Sequence, residues 1–257
     1  RNMEVALIKV AAADAIAVVT MDNPPVNAQN AQFNAEMAYV FDTLSDRKDV
    51  RVAVLTGAGK VFSAGADMKG RAGLKAAGER WQHNRRVRES FHAIRECAKP
   101  VIGALNGPAL GAGLAVAASC DILVATEEAS LGLPEIDVGL LGGGRHAQRL
   151  FGHSTLRRMM LTGYRVPASE LFRLGIVEAC LPRAALMERV MDLAREIAAK
   201  SPAAIRLAKG ALNAIEDMSL RDGYRHEQDL TAQLSEHPDA KEAAAAFLEK
   251  RKPVFRD

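Results

Sequence analysis

The chain has 257 residues, 49% hydrophobic and 25% charged, a balance that suits a soluble globular protein with a sizeable core. Its 34 basic and 31 acidic side chains leave a formal net charge of only +3, which argues against a broad nucleic-acid-binding field. The three scattered cysteines, Cys97, Cys120 and Cys180, form neither a disulfide framework nor a CxxC metal clip, so a reducing cytoplasmic setting is expected.

RNMEVALIKV lacks the charged leader, apolar core and cleavage site of a secretory signal, and Arg1 and Asn2 read as an addition ahead of a native Met3. VALIKV and IAVVTM read as strands, and a helix is expected from about Gln29 to Asp46. VAVLTG is the next strand. A basic amphipathic helix follows from about Glu79 to Cys97, with Trp81, Val87, Phe91 and Ile94 as its core contacts. VIGALNG, an apolar helix over 111–119 and DILVAT complete an alternation that predicts an α/β core with strands buried on both faces. From Ala184 onward only helices are expected, with Ser201 and Pro202 as N-cap and first helical residue. The chain therefore divides into a unit over 1–200 and a helical unit over 201–257.

Three segments carry the chemistry. TGAGKVFSAGADMKG follows a strand but fails the Walker pattern, because Lys60 precedes Val61 and Val54 stands where the opening glycine belongs. It fails the dinucleotide fingerprint at Phe62. What remains is a small-residue loop, Ser63 to Asp67, which lets a ligand approach backbone N–H groups. NGPALGAG repeats the device at a helix start, where unpaired N–H donors and the positive dipole end suit an oxygen that becomes anionic. Two such loops suggest an oxyanion hole of two backbone amides. The third segment, SLGLPEIDVGLLGGGRHAQRL, brings Glu135 after a proline in apolar surroundings, a setting that raises a carboxyl pKa towards the range useful for proton transfer. No G-x-S-x-G elbow and no His, Cys and Asp cluster for a metal is present.

These segments, with NPPVNA at 23–28, CDILVA, LTG at 161–163, LGIVEACLP and FLEKRKPVF at 247–255, resemble the crotonase superfamily of enoyl-CoA hydratases and isomerases along nearly the whole chain. The resemblance implies a spiral of ββα turns with a helical C-terminal trimerisation part, assembled as a homotrimer or a dimer of trimers. It implies an acyl-CoA substrate, with no cofactor beyond the coenzyme A that the substrate carries and no membrane partner. The paired oxyanion amides fall on Ala66 and Ala112, and Glu135 is the catalytic carboxylate. Where hydratases carry a second carboxylate, three residues beyond the oxyanion amide, this chain has Ala115.

A single carboxylate beside an oxyanion hole suffices for the 1,3-proton shift of a 3,2-enoyl-CoA isomerase, which is the expected activity. The dienoyl-CoA isomerase branch is discounted because its further acid would fall on Gly143, and Asp137 is a weaker candidate than Glu135. Arg145 and His146 stand where hydratases commonly have small glycines, so a hydratase or lyase with His146 as second acid/base is the alternative. A non-catalytic acyl-CoA binder, or an RNA-binding relative using Arg80, Arg85, Arg86 and Arg88, is the alternative of another class.

For the substrate, the resemblance implies contacts from Asn27, Ala28, Ala64, Asp67, Met68, Lys69, Gly111, Pro134 and Leu140. Phe247 and Lys250 would join from the C-terminal helix, reaching across a subunit interface. Met68, Leu74, Trp81, Leu140 and Leu141 suggest an apolar acyl tail.

Overall fold

The computed structural model describes residues 3–255, so the Arg1 and Asn2 expectation lies outside the described residues. The elements in chain order are β1 (Ile8–Ala13), β2 (Ile16–Met21), α1 (Ala31–Asp46), β3 (Val52–Gly57), α2 (Met68–Ala72), α3 (Glu79–Glu96), β4 (Val101–Leu105), β5 (Ala109–Leu110) and α4 (Ala112–Ser119). They continue with β6 (Ile122–Thr126), β7 (Ser130–Gly132), a 3₁₀ turn (Pro134–Val138), α5 (Gly144–Ala147), α6 (His153–Thr162), β8 (Arg165–Pro167), α7 (Ala168–Arg173) and β9 (Cys180–Leu181). A second 3₁₀ turn (Arg183–Ala185) leads into α8 (Leu186–Ala198), α9 (Pro202–Ile215), α10 (Leu220–Ser235) and α11 (Pro238–Leu248).

The strands form a six-stranded sheet in the order β1-β2-β3-β4-β6-β9 and a three-stranded sheet in the order β5-β7-β8. In the larger sheet only the β1 to β2 pairing is antiparallel. The central strands β3 and β4 are apolar and buried almost throughout, as the uninterrupted hydrophobic runs predict for strands covered on both faces. The outermost strand departs from that expectation: β1 starts at Ile8, later than VALIKV suggested, and beyond Ile8 it is exposed, as an edge strand can be. Its entry is fixed by the buried Glu36 carboxylate, which accepts the N–H groups of Ala6, Leu7 and Ile8 at 3.0, 2.7 and 3.0 Å.

One core lies between the large sheet, α1, α3 and α4, with Phe33, Phe41, Phe62 and Leu55 fully buried. Each such side chain contributes about 1.5–3 kcal/mol of burial. α8 covers the other face of the sheet through Leu186, Val190 and Ala194. Two sequence expectations change here. α1 begins at Ala31, because Asn30 caps it through the Phe33 N–H and Gln29 instead bridges to Ala66. Trp81 is 77% exposed rather than a core contact; the 3.6-residue period puts residues 87, 91 and 94 towards the interior and leaves Trp81 off that stripe.

Ser201 caps α9 by accepting the Ala204 N–H at 3.1 Å. α9 is tied to the core by buried Lys209, which meets Asp121 at 2.8 Å and the Ile94 and Lys99 carbonyls at 3.3 and 3.0 Å. Glu216 bridges Arg95 at 3.0 Å and Arg149 at 2.8 Å, and Arg149 also reaches the Ala118 carbonyl at the end of α4. Burial alone would raise the Glu216 carboxyl, but the two guanidiniums outweigh it and hold it below the usual range. Among the described residues no helix is long and apolar enough to cross a membrane.

Candidate active site

The two glycine-marked loops are packed against each other. Phe62 and Ser63 donate their N–H groups to the Pro108 carbonyl at 3.1 and 3.2 Å, and Leu110 donates to the Ser63 carbonyl at 3.0 Å. The approach is so close that a Cβ on Gly113 would lie 2.2 Å from the Ser63 carbonyl oxygen. At Gly65, whose φ is +96°, a Cβ would lie 2.6 Å from the Leu110 oxygen and 3.2 Å from the Ala112 nitrogen. Ala66 and Ala112 therefore stand side by side on adjoining loops. Among the described residues neither of their N–H groups donates to a backbone carbonyl, and Ala112 opens α4, where first-turn amides have no intrahelical partner.

α4 is apolar and buried from Gly113 to Ser119, and it presents its first turn, with Ala112 and Ala115, to the site. Ala115 lies one turn in, 1% exposed, with its methyl on the cavity wall.

Glu135 enters from the 3₁₀ turn at Pro134, and Gly139 in the left-handed region ends that turn. Its carboxylate lies against the backbone of Gly111: a Cβ there would be 2.5 Å from Glu135 Oε1. Gly111 has φ +56°, a conformation that suits glycine, and the contact brings the carboxylate beside the residue that carries the Ala112 amide. Asp137 also lines the cavity, but the turn directs its carboxylate to Gly163, where a Cβ would meet Oδ2 at 2.8 Å.

These groups open onto a cavity of about 790 Å³. Ala64, Ala66, Met68, Gly111, Ala112, Pro134, Glu135, Leu140 and His146, all named from the sequence, line it, as does Leu141. His146 sits on α5, its ring edge-on to Phe91 with 5.1 Å between centroids. Burial, then the neighbouring His92, Arg149, Arg145 and Arg95, lower its pKa to about 4, so the ring is neutral at physiological pH.

Other expected contacts are not at this cavity. Asn27 is 1% exposed, and its side chain is spent inside the loop, donating to the Ala58, Val61 and Phe62 carbonyls and accepting the Asn23 N–H. Ala28 and Lys69 do not line it; the Lys69 N–H donates to Asp67 Oδ1 at 3.0 Å. Asp67 and Leu74 belong to a smaller adjoining cavity of about 180 Å³, and Trp81 to neither. Phe247 is 84% exposed near the end of α11, and with Lys250 it lies outside the cavity of its own chain. Conversely, Gln29, Asn34, His83, Asn84 and Arg165 line the cavity although the sequence singled out none of them. Their signal was faint: residues 83, 87 and 91 share a helical stripe, but the sequence does not show what that stripe faces.

A family profile described as "Enoyl-CoA hydratase/isomerase" matches residues 11–257. The chain belongs to the enoyl-CoA hydratase/isomerase family. Among its relatives, "(7aS)-7a-methyl-1,5-dioxo-2,3,5,6,7,7a-hexahydro-1H-indene-carboxyl-CoA hydrolase" of Rhodococcus jostii is 35% identical over 240 residues, covering 93% of each chain. Carnitinyl-CoA dehydratase of Citrobacter koseri is 34% identical over 93% of this chain and 94% of the relative. The crystal structure of an enoyl-CoA hydratase from Bacillus anthracis superimposes with a TM-score of 0.91 at 31% identity, covering 97% of this chain and 99% of that one. The fold of this family, the crotonase fold, is the two-sheet spiral with its helical C-terminal region described above.

Proposed function

We propose that within this family the protein works as a single-carboxylate 3,2-enoyl-CoA isomerase. The observation that carries the reading is the Glu135 carboxylate against Gly111, beside the Ala112 amide, with a methyl at Ala115 one turn along α4. Glu135 takes the proton from C2 of a 3-enoyl thioester, and the C–H electron pair passes to the thioester oxygen. The amides of Ala66 and Ala112 hold that oxygen as it becomes anionic. Glu135 then returns the proton to C4, which leaves the double bond between C2 and C3 and restores the carboxylate. No second acid is required. Addition of water, by contrast, is served best by two groups that hold one water, and Ala115 supplies none.

A test is Glu135→Gln in the conversion of a 3-enoyl-CoA, followed by the absorbance of the conjugated thioester. The turnover number falls by about 10²–10⁴-fold, while coenzyme A thioester binding stays within a few-fold. Full activity in the variant would remove the proposal.

A second reading, hydration or a lyase step, is supported by His146 on the cavity wall. Its neutral ring can accept a hydrogen bond from water, but with a pKa of about 4 it is both a weak base and a scarce proton donor at pH 7. The exposed Leu212, Leu220 and Phe247 on the C-terminal helices support assembly as a homotrimer or dimer of trimers, which light scattering on the purified protein checks.

A further inference from the structure

The cavity wall is more polar than a hydrocarbon chain requires. α3 presents Val87 and Phe91 together with His83, Asn84 and Arg88, while Val138, Leu140 and Leu141 come from the loop that follows Glu135. At about 790 Å³ the space is in the upper part of the ~300–1,000 Å³ range of sites that enclose sizeable ligands.

Two polar groups in this wall have a defined hydrogen-bonding state. Ser63 spends its only proton on the Asn27 carbonyl at 2.7 Å and so accepts from Gln29 Nε2 at 3.1 Å. That fixes the Gln29 amide, and its Oε1 has no hydrogen-bond partner among the described residues although Gln29 is only 2% exposed. His146 lines the cavity with its ring edge-on to Phe91 and, neutral at physiological pH, carries one N–H donor and one lone pair. The Gln29 oxygen is already buried in the protein alone, so the polar group that a purely aliphatic acyl chain would bury beside carbon is His146.

We propose that the acyl group of the substrate carries a neutral oxygen function, a keto or hydroxyl group, which His146 meets from α5. This rests on the reading of the site as one for acyl-CoA thioesters. A neutral imidazole suits a carbonyl or hydroxyl oxygen, and a carboxylate held instead by Arg88 or Arg165 of the same wall is the competing outcome.

The experiment is calorimetric binding of three saturated thioesters of matched size: cyclohexylacetyl-CoA, its 4-oxo analogue and its 4-carboxy analogue. The wild-type protein binds the 4-oxo thioester about tenfold more tightly than the other two, the gain of one hydrogen bond that no longer goes unmade. In His146→Phe, which keeps an aromatic ring beside Phe91, the preference falls to about twofold or less, and in His146→Gln, which retains a donor, part of it returns. Equal binding of the three, preference for the 4-carboxy thioester, or a preference unchanged in His146→Phe would each overturn the inference while leaving the acyl-CoA site standing. Failure of all three to bind would overturn both.

Discussion

Replacing Gly111 with alanine tests whether the placement of Glu135 beside the Ala66 and Ala112 amides governs the proposed reaction. The new Cβ would lie 2.5 Å from Glu135 Oε1, so the carboxylate has to retreat by at least 0.5 Å to reach even the 3.0 Å that real Cβ contacts respect. Displacements approaching 1 Å at a reacting group cost on the order of 10²-fold in rate. The backbone at φ +56° adds about 1–3 kcal/mol of strain, which lowers the melting temperature by roughly 2–4 °C per kcal/mol in a chain of this size. Gly175→Ala separates the two effects, since Gly175 has φ +71° and a Cβ there would meet nothing within 4 Å. Both variants lose a few degrees in a thermal melt, but only Gly111→Ala loses turnover by about 10²-fold in the conjugation assay. Turnover in Gly111→Ala equal to that in Gly175→Ala would refute the reasoning.

The depressed pKa of His146 makes stability pH-dependent: between its native value of about 4 and an unfolded value near 6.5 the unfolded chain binds the extra proton, so stability falls as pH drops through that window. Between pH 7 and pH 5 the loss is about 2 kcal/mol, or about 1 kcal/mol after allowing for solvent that reaches the ring, and urea midpoints of wild type and His146→Phe at the two pH values measure it as the extra loss in the wild type. Lys209→Met leaves Asp121 without its ammonium partner and destabilises by about 3 kcal/mol, the low end for breaking a buried pair because Asp121 keeps some solvent contact. Adding Asp121→Asn recovers part of that loss in the same urea titration. Ala115→Glu puts a carboxylate on the cavity wall one turn beyond Ala112, and hydration of a 2-enoyl-CoA rises at least about tenfold over the wild-type background.

The candidate site was legible where its backbone geometry is confined to a short stretch of chain. The Ser63 to Asp67 loop and the Gly111 turn announce themselves within a few residues because close backbone approach demands small side chains there, and the Pro134-Glu135 turn does so by placing a carboxyl after a proline in apolar sequence. The cavity wall was not legible in the same way. Gln29, Asn34, His83 and Asn84 reach it only because α1 and α3 pack over the loops, and nothing local separates a cavity-facing Asn84 from a solvated one. Asn27 is the opposite case: its amide fits a ligand contact in the sequence, while in the fold its donors go to three carbonyls of the 58–62 turn. Phe247 and Lys250 could be placed near substrate only through a second copy of the chain, which the sequence pattern of one helix does not locate.

The central claim, one carboxylate moving one proton under two amides, is tested most directly by giving the wild-type protein a 3-enoyl-CoA and the matching 2-enoyl-CoA and identifying the products by mass and absorbance. The 3-enoyl thioester is expected to gain conjugation at constant mass, while the 2-enoyl thioester takes up water at least about a hundredfold more slowly. Rapid conversion of the 2-enoyl thioester to a product 18 Da heavier, with the 3-enoyl thioester left unchanged, would contradict it.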